Sequence, residues 1–107
     1  MNGQKEIGEF MERMREDPRI GPPHVSLYMA IFYWWLAQGS EGPVSFTARE
    51  LMPWSKIGGS TLFYQCLKEL HLYRYLMYEP SFNPALKSRV YLVFEDVHIV
   101  YGNGSRV

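Results

Sequence analysis

Four polar side chains recur along one side of the segment 60–71: Thr61, Tyr64, Gln65 and Lys68, at spacings of three, one and three. On a helix of 3.6 residues per turn that spacing gathers them on one face. A hydroxyl, a phenol, an amide and an ammonium group side by side can bond phosphate oxygens and base edges. Lys56 and Ser60 stand at the start of the same segment, where open backbone amides and the helix dipole favour a phosphate. Farther along, Lys87 and Arg89 close the stretch Ser81-Phe82-Asn83-Pro84-Ala85-Leu86-Lys87-Ser88-Arg89, which is longer than a tight hairpin needs. Cations at such a place suit a nucleic-acid backbone or minor groove. Plainer readings exist for both features: any surface helix has a polar outer face, and a solvated hairpin loop can carry an incidental basic pair. Phe82 and Leu86 would then pack the loop onto the sheet.

The elements that must hold these groups follow in a fixed order over residues 44–94. Val44-Ser45-Phe46 reads as a short strand. Thr47 is a good N-cap and Glu50, three residues on, completes a capping box for a short helix ended by Pro53, with Trp54 as a core anchor. Lys56-Ile57-Gly58-Gly59 forms a turn, and Ser60 or Thr61 caps the next helix. In that helix Phe63, Cys66, Leu67 and Leu70 form the apolar stripe opposite the polar four. Two β-rich runs, 75–78 and 90–94, close the segment around the polar loop. Two helices separated by a glycine turn and followed by a hairpin predict a winged helix-turn-helix. The expected class is α+β, a three-helix core with a small antiparallel sheet and wing, plus an extra N-terminal helix.

Upstream, Ile7, Phe10, Met11 and Met14 lie at helical spacing over residues 4–16, with charges on the other side. Asp17-Pro18 and Gly21-Pro22-Pro23 stop that helix and turn the chain. A second helix runs from about His24 to Gln38, ended by Gly39. Its second half, Ile31-Phe32-Tyr33-Trp34-Trp35-Leu36, is apolar or aromatic on every side, so it needs cover on more than one face. Trp34 and Trp35 read as core residues. The first helix can fold back over the second, or the two stripes can be shared with a second copy; Ile7, Phe10, Met11 and Met14 are the expected homodimer interface. The organisation expected is a packing or dimerisation helix at 1–19, a winged helix-turn-helix domain at 20–96, and a strand and tail at 97–107.

With 107 residues, 47% of them hydrophobic and 16% aromatic, the chain is one folded domain and not a disordered one. Its net charge is zero, which argues against non-specific coating of nucleic acid. The charge is nonetheless uneven: residues 49–89 hold six cations (Arg49, Lys56, Lys68, Arg74, Lys87, Arg89) against Glu50, Glu69 and Glu79. A single cysteine, Cys66, rules out an intrachain disulfide and fits a reducing compartment. The N-terminal residues lack a signal-peptide pattern, and the most apolar stretch is too short to span a membrane, so a cytoplasmic location is expected. His24, His71 and His98 have no partners at metal-ligand spacing, and the adjacent carboxylates Glu95-Asp96 read as a strand end. Gly58-Gly59-Ser60-Thr61 lacks the earlier glycine and the lysine of a P-loop. No catalytic set, metal or cofactor is expected, and the chain reads as a non-enzyme.

Three stretches add a family likeness: Ile20-Gly21-Pro22-Pro23-His24-Val25-Ser26-Leu27-Tyr28, Ser55-Lys56-Ile57-Gly58-Gly59-Ser60-Thr61 and Cys66-Leu67-Lys68-Glu69-Leu70-His71. They resemble small winged-helix proteins of bacterial mobile elements and integrated phages, similar to the N-terminal winged-helix domain of DnaD-like replication initiation proteins. The resemblance covers about residues 20–95. It implies a DNA-binding role in transcription or replication, with self-association and other replication or transcription proteins as partners. The expectation is therefore sequence-specific binding of double-stranded DNA, as a regulator or replication accessory. Thr61, Tyr64, Gln65 and Lys68 would face the major groove, Lys56 and Ser60 would hold phosphate, and Lys87 and Arg89 would make the wing contact. The rival expectation is a protein–protein interaction module on the same scaffold without DNA binding, which zero net charge and high aromatic content favour.

Overall fold

The structure, a computed structural model, describes residues 3–83 and 85–94. They form four helices and a three-stranded antiparallel sheet: α1 (Gln4–Glu16), α2 (Pro22–Ala37), β1 (Val44–Phe46), α3 (Ala48–Ser55), α4 (Ser60–Leu72), β2 (Leu76–Glu79) and β3 (Ser88–Leu92). The expected strand at 97–107, Glu95-Asp96 and His98 lie outside the described residues.

Helix α1 lies on its own chain's core. Phe10 is 3% exposed and stacks on Tyr28 with ring centroids 3.7 Å apart, its edge meeting Tyr75. Ile7 and Met14 pack against the same cluster. Of the four residues expected at a dimer interface, only Met11 is exposed, at 43%. The stripe is thus covered within one chain. Gly3 makes the close approach possible at the start of α1: its φ is +78°, and a Cβ there would sit 2.6 Å from Leu36 and 3.0 Å from Phe32. At the other end, the Arg13 guanidinium lies 4.1 Å over the Tyr75 ring and donates to the carbonyl oxygens of Tyr73 and Arg74. Those carbonyls follow the end of α4, where helical partners run out and a cation is favoured.

The turn after α1 holds a second clasp. Asp17 accepts two bonds from the Arg19 guanidinium, each 2.8 Å, one from the Arg19 backbone N–H at 3.0 Å, and one from the Tyr75 hydroxyl at 2.9 Å. The Arg19 guanidinium, with the Tyr75 hydroxyl behind it, holds the Asp17 carboxyl well below the usual carboxylate range. A carboxyl whose folded value is depressed stabilises the fold above its unfolded value, near about 4, and loses that contribution as pH falls through the folded value. Thermal melts between about pH 4 and pH 2 should therefore fall more steeply for the parent than for Asp17→Asn. Parallel curves would mean that the clasp carries no net stability.

Helix α2 begins at Pro22, two residues earlier than the expected start near His24. Pro22 and Pro23 occupy the first turn, where a missing N–H leaves no bond unmade and φ is already helical. Seven of its residues are buried, Leu27, Tyr28, Ile31, Phe32 and Trp35 among them. The all-round apolar run is not fully covered, however: Tyr33 is 54% exposed. Trp35 is buried and Trp34 half-buried, in keeping with core roles.

In β1, Val44 and Phe46 point inward and Ser45 outward. Thr47 then caps α3 as expected: the Glu50 N–H donates to the Thr47 hydroxyl oxygen, and the Thr47 N–H to the Glu50 carboxylate, both at 3.2 Å. Thr47→Ala should cost about 1 kcal/mol, read as a shift in denaturant midpoint at unchanged slope. No shift would mean that the exposed box is replaced by water without loss.

Pro53 does not end α3. It lies inside the helix, which runs to Ser55. Both Pro53 and Arg49, whose carbonyl loses its partner, are exposed, so water can replace the bond. The end comes instead at buried Ser55, whose hydroxyl donates to the Met52 carbonyl and accepts the Ile57 N–H. Ser26 of α2 donates to the Ser55 carbonyl. Lys56 then takes the left-handed conformation, φ 62°. Trp54, expected as a core anchor, is 55% exposed. The extra turn of helix carries it outward, and Ile57 fills the inner position instead.

Helix α4 starts at Ser60 with Gly59 as its N-cap, so neither Ser60 nor Thr61 caps it. Phe63, Cys66, Leu67 and Leu70 are buried as their spacing predicts. In the sheet the strand order is β1-β3-β2, with Val90 paired to both Val44 and Tyr78. Strand β3 is thus central and links the short β1 to the hairpin. The hairpin strands are displaced by one or two residues from the expected 75–78 and 90–94. This α+β arrangement is compatible with the layout expected from the sequence.

Candidate nucleic-acid interface

The buried stripe of α4 fixes what its other side shows. Thr61, Tyr64, Gln65 and Lys68 are all exposed, as are Ser60 at the helix start and Lys56 in the turn before it. The structure therefore brings six expected residues onto one helix and its entry turn. Among the described residues, Lys56 and Lys68 have no ion-pair partner. Arg49 on α3 is likewise exposed, with no ion pair among the described residues. Sequence reading counted its charge without assigning it a place; its position in the first turn of a helix capped just before this turn was the available signal.

Glu69 lies half-buried beside this face. It accepts from the His24 ring at 2.7 Å and from the Gln65 amide at 3.4 Å. The His24 bond holds its carboxyl below the ordinary glutamate value, with Gln65 adding to the effect. It stays charged and reduces the positive potential there. Cys66, on the opposite side, has its thiol pushed up by burial, so it remains protonated and inert.

The described residues of the hairpin loop bond to one another through their side chains. The Ser81 hydroxyl accepts the Asn83 N–H, the Asn83 side-chain oxygen accepts the Ala85 N–H, and Ser88 accepts the Ser81 N–H. Its two cations are not free. Lys87 pairs with Glu50 of α3 at 3.1 Å, and Arg89 with Glu79 across the hairpin at 2.8 Å. Both pairs are exposed and worth little, so a phosphate can replace the carboxylates. Lys87 also lowers the Glu50 carboxyl, the Thr47 amide adding to this. An open groove of about 560 Å³ runs along Ser45, Glu79, Pro80, Leu86, Lys87 and Arg89. Phe82 does not pack the loop onto the sheet; it is 93% exposed, and Leu86 is exposed too.

A second surface was not anticipated. Trp54 stacks on Tyr33, centroids 5.4 Å apart and planes 19° from parallel, while Trp34 meets it edge-on at 6.3 Å. With exposed Met29 and Pro53 they form an aromatic ledge between α2 and α3.

Among the described residues no group of three His, Cys, Asp or Glu side chains could hold a metal ion, and no helix is long and apolar enough to cross a membrane. No family model, curated protein or solved structure matches this chain.

Proposed function

We propose that the chain is a winged helix-turn-helix protein that binds duplex DNA, acting in the cytoplasm as a regulator or replication accessory. The observation that carries this reading is the helix pair α3–α4. A four-residue turn joins them, and the second helix buries one stripe completely while exposing hydroxyl, phenol, amide and ammonium groups on the other. In this reading α4 enters the major groove, with Arg49, Lys56 and Lys68 against phosphates. The loop 80–87 lies along the flanking backbone, where Lys87 and Arg89 exchange their carboxylate partners for phosphate oxygens.

The test is duplex affinity, by fluorescence anisotropy, across a salt series. With three to five phosphate contacts, log affinity should fall against log salt with a slope of about −3 to −5. A slope near zero, or no binding at low salt, would remove DNA as the ligand.

A protein-docking role on the same scaffold is favoured by one observation, the exposed Tyr33–Trp54 stack, since aromatic residues of this kind dominate binding hot spots. A homodimer would pair through this ledge and Met11, because Phe10 is committed to its own core.

A further inference from the structure

His24 sits in the first turn of α2, 8% exposed, and joins that helix to α4. Its Nδ1 accepts the backbone N–H of Gly21 at 3.0 Å. A ring nitrogen that accepts carries no proton, so in the neutral imidazole the proton is on Nε2, which donates to Glu69 Oε1 at 2.7 Å. The other carboxylate oxygen of Glu69, Oε2, takes the Gln65 amide nitrogen at 3.4 Å. A carboxylate only accepts, so the nitrogen of the Gln65 amide, and not its oxygen, must face Glu69. The chain of bonds thus runs from the backbone of α2, through His24 and Glu69, to the outer face of α4. Each link sets the direction of the next. At its end, Gln65 keeps one N–H and its Oε1 without a partner among the described residues.

We propose that His24, acting through Glu69, is a positioning residue that orients the Gln65 amide to read adenine. The inference rests on the reading of α4 as the base-contacting helix. Adenine shows the major groove an acceptor, N7, beside a donor, the N6 amino group. A donor and an acceptor held side by side in a set order match that pair. An untethered glutamine instead turns its amide over and must be ordered on binding.

Two substitutions separate positioning from helix capping. His24→Asn keeps an acceptor where Nδ1 stood, for the Gly21 N–H, and loses the donor to Glu69. His24→Gln keeps a donor where Nε2 stood and loses the acceptor. If His24 orients Gln65, His24→Asn shifts the Gln65 side-chain amide signals in nitrogen-resolved NMR of the free protein, whereas His24→Gln leaves them near the parent. Selection from randomised duplexes should then show the parent's adenine preference at one position relaxed on the order of tenfold in His24→Asn, at unchanged salt slope, and retained in His24→Gln. A role confined to capping α2 predicts the reverse order of disturbance. Gln65 signals that coincide in His24→Asn and the parent would overturn the relay alone. Gln65 signals that shift in His24→Asn, beside a parent that binds no duplex, would leave the relay standing and overturn the adenine reading together with the proposed function.

Discussion

Phe10→Ala is expected to destabilise the protein by about 3–5 kcal/mol, lowering the melting temperature by about 10 °C or more. The ring is almost fully enclosed, stacked on Tyr28 and met edge-on by Tyr75. Truncation removes its transfer free energy and leaves a cavity walled by Tyr28 of α2 and by Tyr75 in the turn before β2, so collapse is partial. The effect should be the same at low and high protein concentration, because the contacts lie within one chain; an interface between copies would make the melt concentration-dependent. A loss below about 1 kcal/mol would mean that α1 is peripheral, and that its apolar stripe awaits another partner.

Removing the three unpaired cations around α4 should have the largest effect on binding. Arg49→Gln and Lys68→Gln keep length and solubility, and Lys56→Asn suits the left-handed backbone at that position. Together they should reduce the slope of log affinity against log salt by about three units, while Lys87→Gln alone reduces it by about one at most. The smaller effect follows from the Lys87–Glu50 pair: duplex binding there must first displace a carboxylate. Equal slopes in the triple variant and the parent would move the docking face away from α4.

Much of this face was legible because one helix carries two interleaved periodicities. Phe63, Cys66, Leu67 and Leu70 announce the buried side, and the residues between them are exposed by geometry. The Thr47–Glu50 box was legible for a similar reason, since both members lie within one turn. Legibility failed where the partner is distant in sequence. Nothing near Lys87 points to Glu50, 37 residues away, or near Gln65 to a chain reaching back to His24. It failed again at Trp54, where large apolar residues were assumed to face inward. That residue's side depends on whether α3 continues past Pro53, and exposure of the orphaned carbonyl lets it continue. The first helix was half legible: its stripe showed in the sequence, but the choice between folding back and pairing depended on Gly3, Arg13 and Tyr75.

The most direct measurement is a titration of nitrogen-labelled protein with a short duplex, followed by NMR at low salt. The account predicts that backbone signals of 56–69 and 81–89 move first and farthest, with the Lys68 and Gln65 side chains among them, while those of Met29, Tyr33 and Trp54 stay in place. Movement confined to the aromatic ledge, or no movement at millimolar duplex, would contradict it.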